Sequence, residues 1–446
     1  MTAVPTTDVP QPADGEPVPD QRGDGILTGI NVVELAQNAA IPHCGRLLAG
    51  MGADVVKVEP PGGDAMRSLA ALTPTEGRGY ALINPGKRAI VLDLGHPGAA
   101  GVIDALFGWA DVALVAFKQG DLKRYGIDWD HASAVNERLV YLAHTAFGPE
   151  GPDAHVGGYD VLVQARSGAG FVMNRAEHGV PSATRPAVND FGTGMVSALG
   201  VVAALRHRDV TGRGQRVDSS LLGTAMALAT PMIGGFEADA EAVAELRSDI
   251  DAARAAGVGF ADQRRLYEER VTPGAGAFRL YFRTYLTLDG MISVAGLSAA
   301  LQDKFHRVTG LARPGTQDPS SDAFRSVVDA AESLFRTRTT AEWLTALREV
   351  EFPCGPYNLP YEALDDDQIR ANDYVVDLEH SEFGRYTTSG MPLRFSDAGS
   401  PVLGASPRYG EHTREVLAGI GFDAAEIDHL VAAGTVEEHP TPTRPA

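Results

Sequence analysis

The chain has 446 residues, and its 38 Lys and Arg against 58 Asp and Glu leave a net charge of 38 − 58 = −20. A hydrophobic content of 44% excludes wholesale disorder, and the length allows two or three domains of ordinary size. The acid excess argues against broad nucleic-acid or anionic-membrane binding, which needs a net basic face, but local basic clusters leave room for an anionic ligand.

Residues 1–25 carry five prolines, five acids and one basic residue with no apolar period, and read as a disordered tail. No basic region followed by an apolar run is seen there. Only two cysteines occur, Cys44 and Cys354, so neither a disulfide framework nor a cysteine-based zinc site is expected. The expected setting is the reducing cytoplasm.

Order begins near Gly29. Asn31–Leu35 reads as a strand, about Ala40 to Gly50 as a helix stopped by Gly52, and Asp54–Glu59 as a second strand. That is a βαβ unit, with its strands parallel. The alternation continues through a strand at Ala89–Leu94, a helix from Pro97 to Ala110, and a strand at Asp111–Phe117. A helix at Asp130–Arg138 and a strand at Leu139–Thr145 follow. The pattern predicts an α/β fold: a large Rossmann-like domain over 26–235 with a mostly parallel sheet.

An apolar helix is expected from Asp190 to Arg208, then a Thr-Gly-Arg-Gly turn and a short segment from Gln215 to Asp218. The uncharged run Ser219–Phe236 holds Pro231 and three glycines, and reads as a buried helix ending at the proline, not a membrane span. Residues 236–270 are charged with a helical period and read as a linker. A smaller α+β domain is expected over 271–390, with a hairpin turning at Asp289-Gly290. Residues 391–446 then return to the large domain, with a helix from about Glu411 to Leu417.

Common catalytic signatures are missing. The chain has no GxxxxGK(S/T) loop, no GxGxxG after the first strand, no HExxH and no GxSxG. Dinucleotide, nucleoside-triphosphate, metalloprotease and serine-hydrolase chemistries are disfavoured, and no metal site is expected. Basic and glycine-rich spots remain at strand ends: Asn84-Pro-Gly-Lys87-Arg88, and Phe117-Lys-Gln-Gly120 leading to Lys123-Arg124. A phosphate-bearing ligand would use such clusters, although solvated loop charges look the same in sequence. Asp190 sits in Asn189-Asp-Phe-Gly192-Thr-Gly194, directly ahead of the apolar helix. It is expected to cap that helix, or to present a carboxylate where backbone N–H groups could receive a developing anion.

Taken together these blocks resemble the family III CoA-transferases, a group that includes formyl-CoA transferase, carnitine CoA-transferase and the alpha-methylacyl-CoA racemases. Gly52-Ala-Asp-Val-Val-Lys-Val-Glu-Pro-Pro-Gly-Gly-Asp64 carries the match, with Asn84–Arg88, Gly157-Gly-Tyr-Asp160, Asn189-Asp190 and Thr211–Asp218 in order. A weaker match runs from Phe352 to Arg394. The resemblance implies an interlaced homodimer of two-domain chains, no tightly bound cofactor, and acyl-CoA plus a carboxylic acid as substrates. It places the catalytic aspartate at Asp190, with Tyr159, Asp160 and Gly192 as support. It places CoA contacts at Gln37, Asn38, Ala39, Lys87, Phe117 and Arg124, the last suited to a phosphate.

The implied chemistry is CoA transfer through an aspartyl anhydride and an aspartyl-CoA thioester. Racemases of the group place a His where this chain has Tyr159, and a phenol is a poor base near neutrality. Racemisation and a non-catalytic CoA-binding role are the alternatives. Formyl-CoA-type members also carry a glycine lid, for which Pro273-Gly-Ala-Gly276 is the candidate here.

Overall fold

The computed structural model describes residues 25–271, 276–316, 318–319, 321–399 and 403–439. The N-terminal tail to residue 24 and Pro273–Ala275 of the expected lid lie outside the described residues.

Valine-rich runs form a sheet of β1 (Asn31–Leu35), β2 (Asp54–Glu59), β3 (Arg88–Leu92), β4 (Val112–Val115), β5 (Val140–Thr145) and β6 (Gln215–Ser220). These six pair in parallel in the order β3-β2-β1-β4-β5-β6, and β7 (Val436–Glu437) joins β3 antiparallel at the edge. This is a doubly wound α/β sheet, and its strand order reverses between β1 and β4. At such a point the loops leaving adjacent strands diverge, and a crevice opens beyond the carboxyl ends.

Strands covered on both faces read as continuous apolar runs. One face carries Val33, Val56, Ile90 and Tyr141 against α2 (Ala99–Trp109) and the C-terminal helices. The other carries Val32, Val55, Val140 and Leu142 in one cluster with residues of α1 (Ala40–Gly50) and α4 (Val188–Thr211). Between α2 and α4 along the chain lies a short helix, α3 (Asp160–Arg166). The contact of α1 with α4 explains one glycine. A Cβ on Gly194 would meet the Ala40 carbonyl oxygen and the His43 ring at 2.8 Å, closer than such atoms can approach.

The chain divides into two units. One comprises the chain to Arg175, Pro181–Gly234 and Asn372 onward; the other comprises Ala176–Val180 and Gly235–Ala371. The segment expected as a helical linker forms two helices, Ala240–Ala255 and Phe260–Val271, that group with the second unit. The hairpin Val375–His380 with Gly384–Ser389, expected in the smaller domain, groups with the sheet instead.

The second unit holds an antiparallel sheet of Phe282–Leu286, Met291–Ala295 and Cys354–Pro356. Its hairpin turns at Asp289-Gly290, as the sequence predicts. Its core is aromatic: Tyr285 stacks on Phe335 at 4.2 Å, and Phe335 stacks on Trp343 at 4.5 Å. The buried Trp343 indole donates to the Phe335 carbonyl at 2.8 Å.

Candidate active site

The loop from β1 to α1 is held from below by four buried charges. Lys57 Nζ lies 3.0 Å from Glu34, 2.9 Å from Asp64 and 2.7 Å from the Ala36 carbonyl oxygen. Lys87 Nζ lies 2.8 Å from the other Glu34 oxygen, 2.7 Å from the Pro42 carbonyl oxygen and 2.8 Å from Asn84 Oδ1. Two ammonium groups thus share one carboxylate and bind carbonyls on both flanks of Gln37–Ala39. Asp64 adds a bond from the Asn38 N–H at 3.3 Å, and Asn38 has φ 65°, in the left-handed region that a side chain enters at a cost. The cluster therefore fixes a strained loop conformation.

Burial opposes the charge on Lys57, but Glu34 and Asp64 outweigh it and raise the pKa above the ordinary lysine value. At Lys87 burial wins. Glu34 offsets only part of it and Lys57 adds repulsion, bringing the pKa down to about 8. Lys87 is one of the expected CoA contacts; in the structure its ammonium is enclosed and bonded within the protein. In sequence it looks solvated because its partner Glu34 stands 53 residues upstream.

Above the loop, a cavity of about 640 Å³ opens at the carboxyl ends of β1, β4 and β5. It is lined by Gln37, Asn38 and Ala39 from the first loop, by Phe117 after β4, and by Tyr159 and Asp190. Arg124 is exposed at the end of the short helix Gln119–Arg124, its guanidinium 5.2 Å from the Tyr125 ring centroid, and is not among the cavity's lining residues. His144, at the end of β5, also lines the cavity. Scattered histidines give no motif in the sequence, but a histidine directly after the apolar run Val140–Ala143 of a strand is a usable signal.

Asp190 lies in the first turn of α4 but does not cap it. The cap position is Ala187, which has no capping side chain, and this corrects the N-cap expectation. The cap comes from Asp160. Its Oδ2 accepts the N–H groups of Asn189 at 2.7 Å and Asp190 at 3.1 Å, and its Oδ1 accepts from the Gln164 side chain. Gln164 in turn accepts the Thr184 N–H at 3.0 Å. A buried carboxylate on two orphan helix donors is favoured by charge assistance and by the helix dipole, roughly 1.5–3 kcal/mol per bond. It also consumes those donors, so they do not face a ligand as the sequence reading allowed. Gly192 sits within the same turn, against Thr224 and Leu228.

The pairing shapes the Asp190 carboxyl. Burial raises its pKa first, the Asp160 charge adds to this, and together they bring it from 3.8 to about 6. A partly buried carboxylate beside a second one, in a cavity at a sheet's switch point, is a group kept short of solvation and reactive once ionised.

Residues 27–413 match the profile of CoA-transferase family III. The chain belongs to that family. A formyl-CoA:oxalate CoA-transferase from Streptomyces coelicolor is 30% identical over 419 residues, covering 92% of this chain and 99% of that protein. One from Rhodopseudomonas palustris is 28% identical over 420 residues, covering 92% and 97%. In fold, the chain is similar to the crystal structure of a CaiB/BaiF family protein from Brucella suis, with a TM-score of 0.68 at 26% identity. That likeness covers 89% of this chain and 100% of the other. Family membership implies CoA thioesters as substrates.

The folded protein binds the Asp190 proton more tightly than the unfolded chain, so the group costs increasing stability as pH rises from 3.8 through about 6. Carboxyl-detected NMR of the aspartates is expected to show Asp190 titrating near 6. In Asp160→Asn, which keeps an acceptor for the cap but removes the charge, the midpoint should move down yet stay above 3.8, because burial remains. An ordinary midpoint in the unaltered protein would contradict this account.

Proposed function

We propose that this protein transfers CoA from an acyl-CoA thioester to a carboxylic acid, with Asp190 as the covalent nucleophile. The observation that carries the reading is the position of Asp190. It shares one cavity with the strained, charge-clamped loop Gln37–Ala39, at the switch point of the sheet. Family membership and relatives named formyl-CoA:oxalate CoA-transferase support the substrate class. Formyl-CoA and oxalate are therefore the first pair to test.

The steps balance as follows. The Asp190 carboxylate attacks the thioester carbonyl, the C–S bond breaks, and CoA thiolate leaves a mixed anhydride on Asp190. The thiolate then attacks the Asp190 carbonyl, releasing the first acid and forming an aspartyl-CoA thioester. The acceptor carboxylate attacks the same carbonyl and expels the thiolate, giving a second anhydride. Attack of the thiolate on the acceptor's carbonyl yields the new acyl-CoA and restores Asp190. A carboxylate suits this role because its anhydride is activated toward both thiolate and carboxylate. Tyr159, 68% exposed at the cavity wall, and Phe117 would flank the ligand, while Arg124 and Lys123 offer charge to its phosphates.

A homodimer belongs to the same proposal. Helix α4 exposes Met195, Leu199 and Val202 at i, i+4 and i+7, an apolar stripe in which Leu199 is 70% exposed. Light scattering is expected to give about twice the chain mass of 47.1 kDa, and a stable monomer at micromolar concentration would contradict it.

The catalytic test is Asp190→Asn, which keeps the side-chain volume and leaves the Asp160 cap in place. Thermal melting should be retained, while CoA transfer from formyl-CoA to oxalate falls by roughly 10³-fold or more. Full activity in that variant would overturn the nucleophile assignment.

A further inference from the structure

An acyl-transfer site needs a hydrogen-bond donor for the oxygen of the carbonyl under attack. The helix start beside Asp190 does not provide it from Asn189 or Asp190, because both N–H groups are bonded to Asp160. The donor has to come from elsewhere in the cavity.

Side chains alternate along a strand, so positions 140, 142 and 144 of β5 share a face. Val140 and Leu142 belong to the apolar layer that also holds Val201, Ala204 and Leu205 of α4. His144 continues that face at the carboxyl end of the strand, where it lines the cavity. Its neighbours are arranged for it. Ser219 is its register partner on β6, with Ser219 Oγ 3.1 Å from His144 Nδ1. The Ser197 hydroxyl, 1% exposed, donates to Ser219 Oγ at 3.1 Å. Ser197 stands seven residues after Asp190 on one stripe of α4, about 10 Å along the axis.

This chain favours one tautomer. With Ser219 accepting from Ser197, its own hydroxyl hydrogen is free to point to Nδ1, an arrangement that puts the imidazole proton on Nε2. Burial holds the ring pKa down to about 4, so the ring is neutral at physiological pH. A neutral imidazole fixed at Nδ1 by a hydroxyl relay is an N–H donor with one open side.

We propose that His144 donates its Nε2–H to the acyl carbonyl oxygen of the thioester and anhydride, stabilising the negative charge that develops there when the carbonyl is attacked. Ser219 and Ser197 are positioning residues that act through the ring. The inference rests on the CoA-transfer reading above, and it adds a group that touches the reacting atoms.

The experiment compares wild type, His144→Phe, His144→Asn and Ser219→Ala as full-length protein. Transfer is assayed with formyl-, acetyl- and succinyl-CoA against oxalate, formate and succinate, and CoA binding by calorimetry. For the pair that wild type turns over fastest, His144→Phe should lose kcat by about 10²-fold, with KM and CoA affinity changed less than about twofold. His144→Asn, which keeps an N–H donor, should recover part of the loss, and Ser219→Ala should show a smaller loss of kcat alone. Unchanged kcat in His144→Phe, or equal losses in kcat and CoA affinity, would overturn the inference while leaving the transferase reading intact. A wild type that binds CoA but turns over none of these pairs would overturn the transferase reading, and this inference with it.

Discussion

The carboxylate of Asp160 sets the terms for the whole site. By taking the N–H groups of Asn189 and Asp190 it starts a 24-residue helix from outside that helix, which has no capping side chain of its own. The same contact places a second negative charge beside Asp190 and so raises its pKa. It also takes up the Asn189 and Asp190 N–H groups, two donors at the helix start that a reacting carbonyl could otherwise use. One interaction thus positions the proposed nucleophile, delays its ionisation and shifts the demand for charge stabilisation onto other cavity walls. Buried carboxylates that share a site are costly, and here the cost is met by hydrogen bonds from the backbone and from Gln164.

The second constraint lies under the β1–α1 loop. Glu34, Lys57, Asp64 and Lys87 form a neutral set of two cations and two anions, enclosed by the sheet and α1. Their bonds to the carbonyls of Ala36 and Pro42 leave the intervening backbone little freedom. Pre-organisation of this kind lowers the ordering cost of ligand binding, because the loop need not be rearranged first. A buried ion cluster gains little net stability over an apolar one. Its contribution here is geometric: it pins the loop on both flanks of Asn38, whose φ of 65° lies in the left-handed region.

Much of this was legible in the sequence, for identifiable reasons. The strands from Asn31 to Thr145 could be read because they are buried on both faces and alternate with helices. β6 was legible only as a short segment, since Gln215-Arg-Val-Asp-Ser-Ser220 is a polar, partly exposed edge strand with a single aliphatic residue. β7, with two residues, carries no periodicity at all. Asp190 stood out from its glycine-rich helix start, but its partner Asp160 is 30 residues away and local capping rules point to the wrong carboxylate. Lys87 shows the same limit: in a basic cluster it resembles a ligand residue, and only the fold reveals Glu34 against it. Long-range pairing of buried polar groups is what a single sequence hides.

The central claim is that Asp190 forms a covalent link to CoA. The most direct test is to incubate the unaltered protein with acyl-CoA, quench with hydroxylamine and map the modified peptide by mass spectrometry. Attack of hydroxylamine on the aspartyl-CoA carbonyl expels CoA thiol and leaves a hydroxamate on the aspartate. The account predicts that hydroxamate at Asp190 and none at Asp160. A modification at Asp160 alone, or CoA turnover with both carboxylates unmodified, would contradict it.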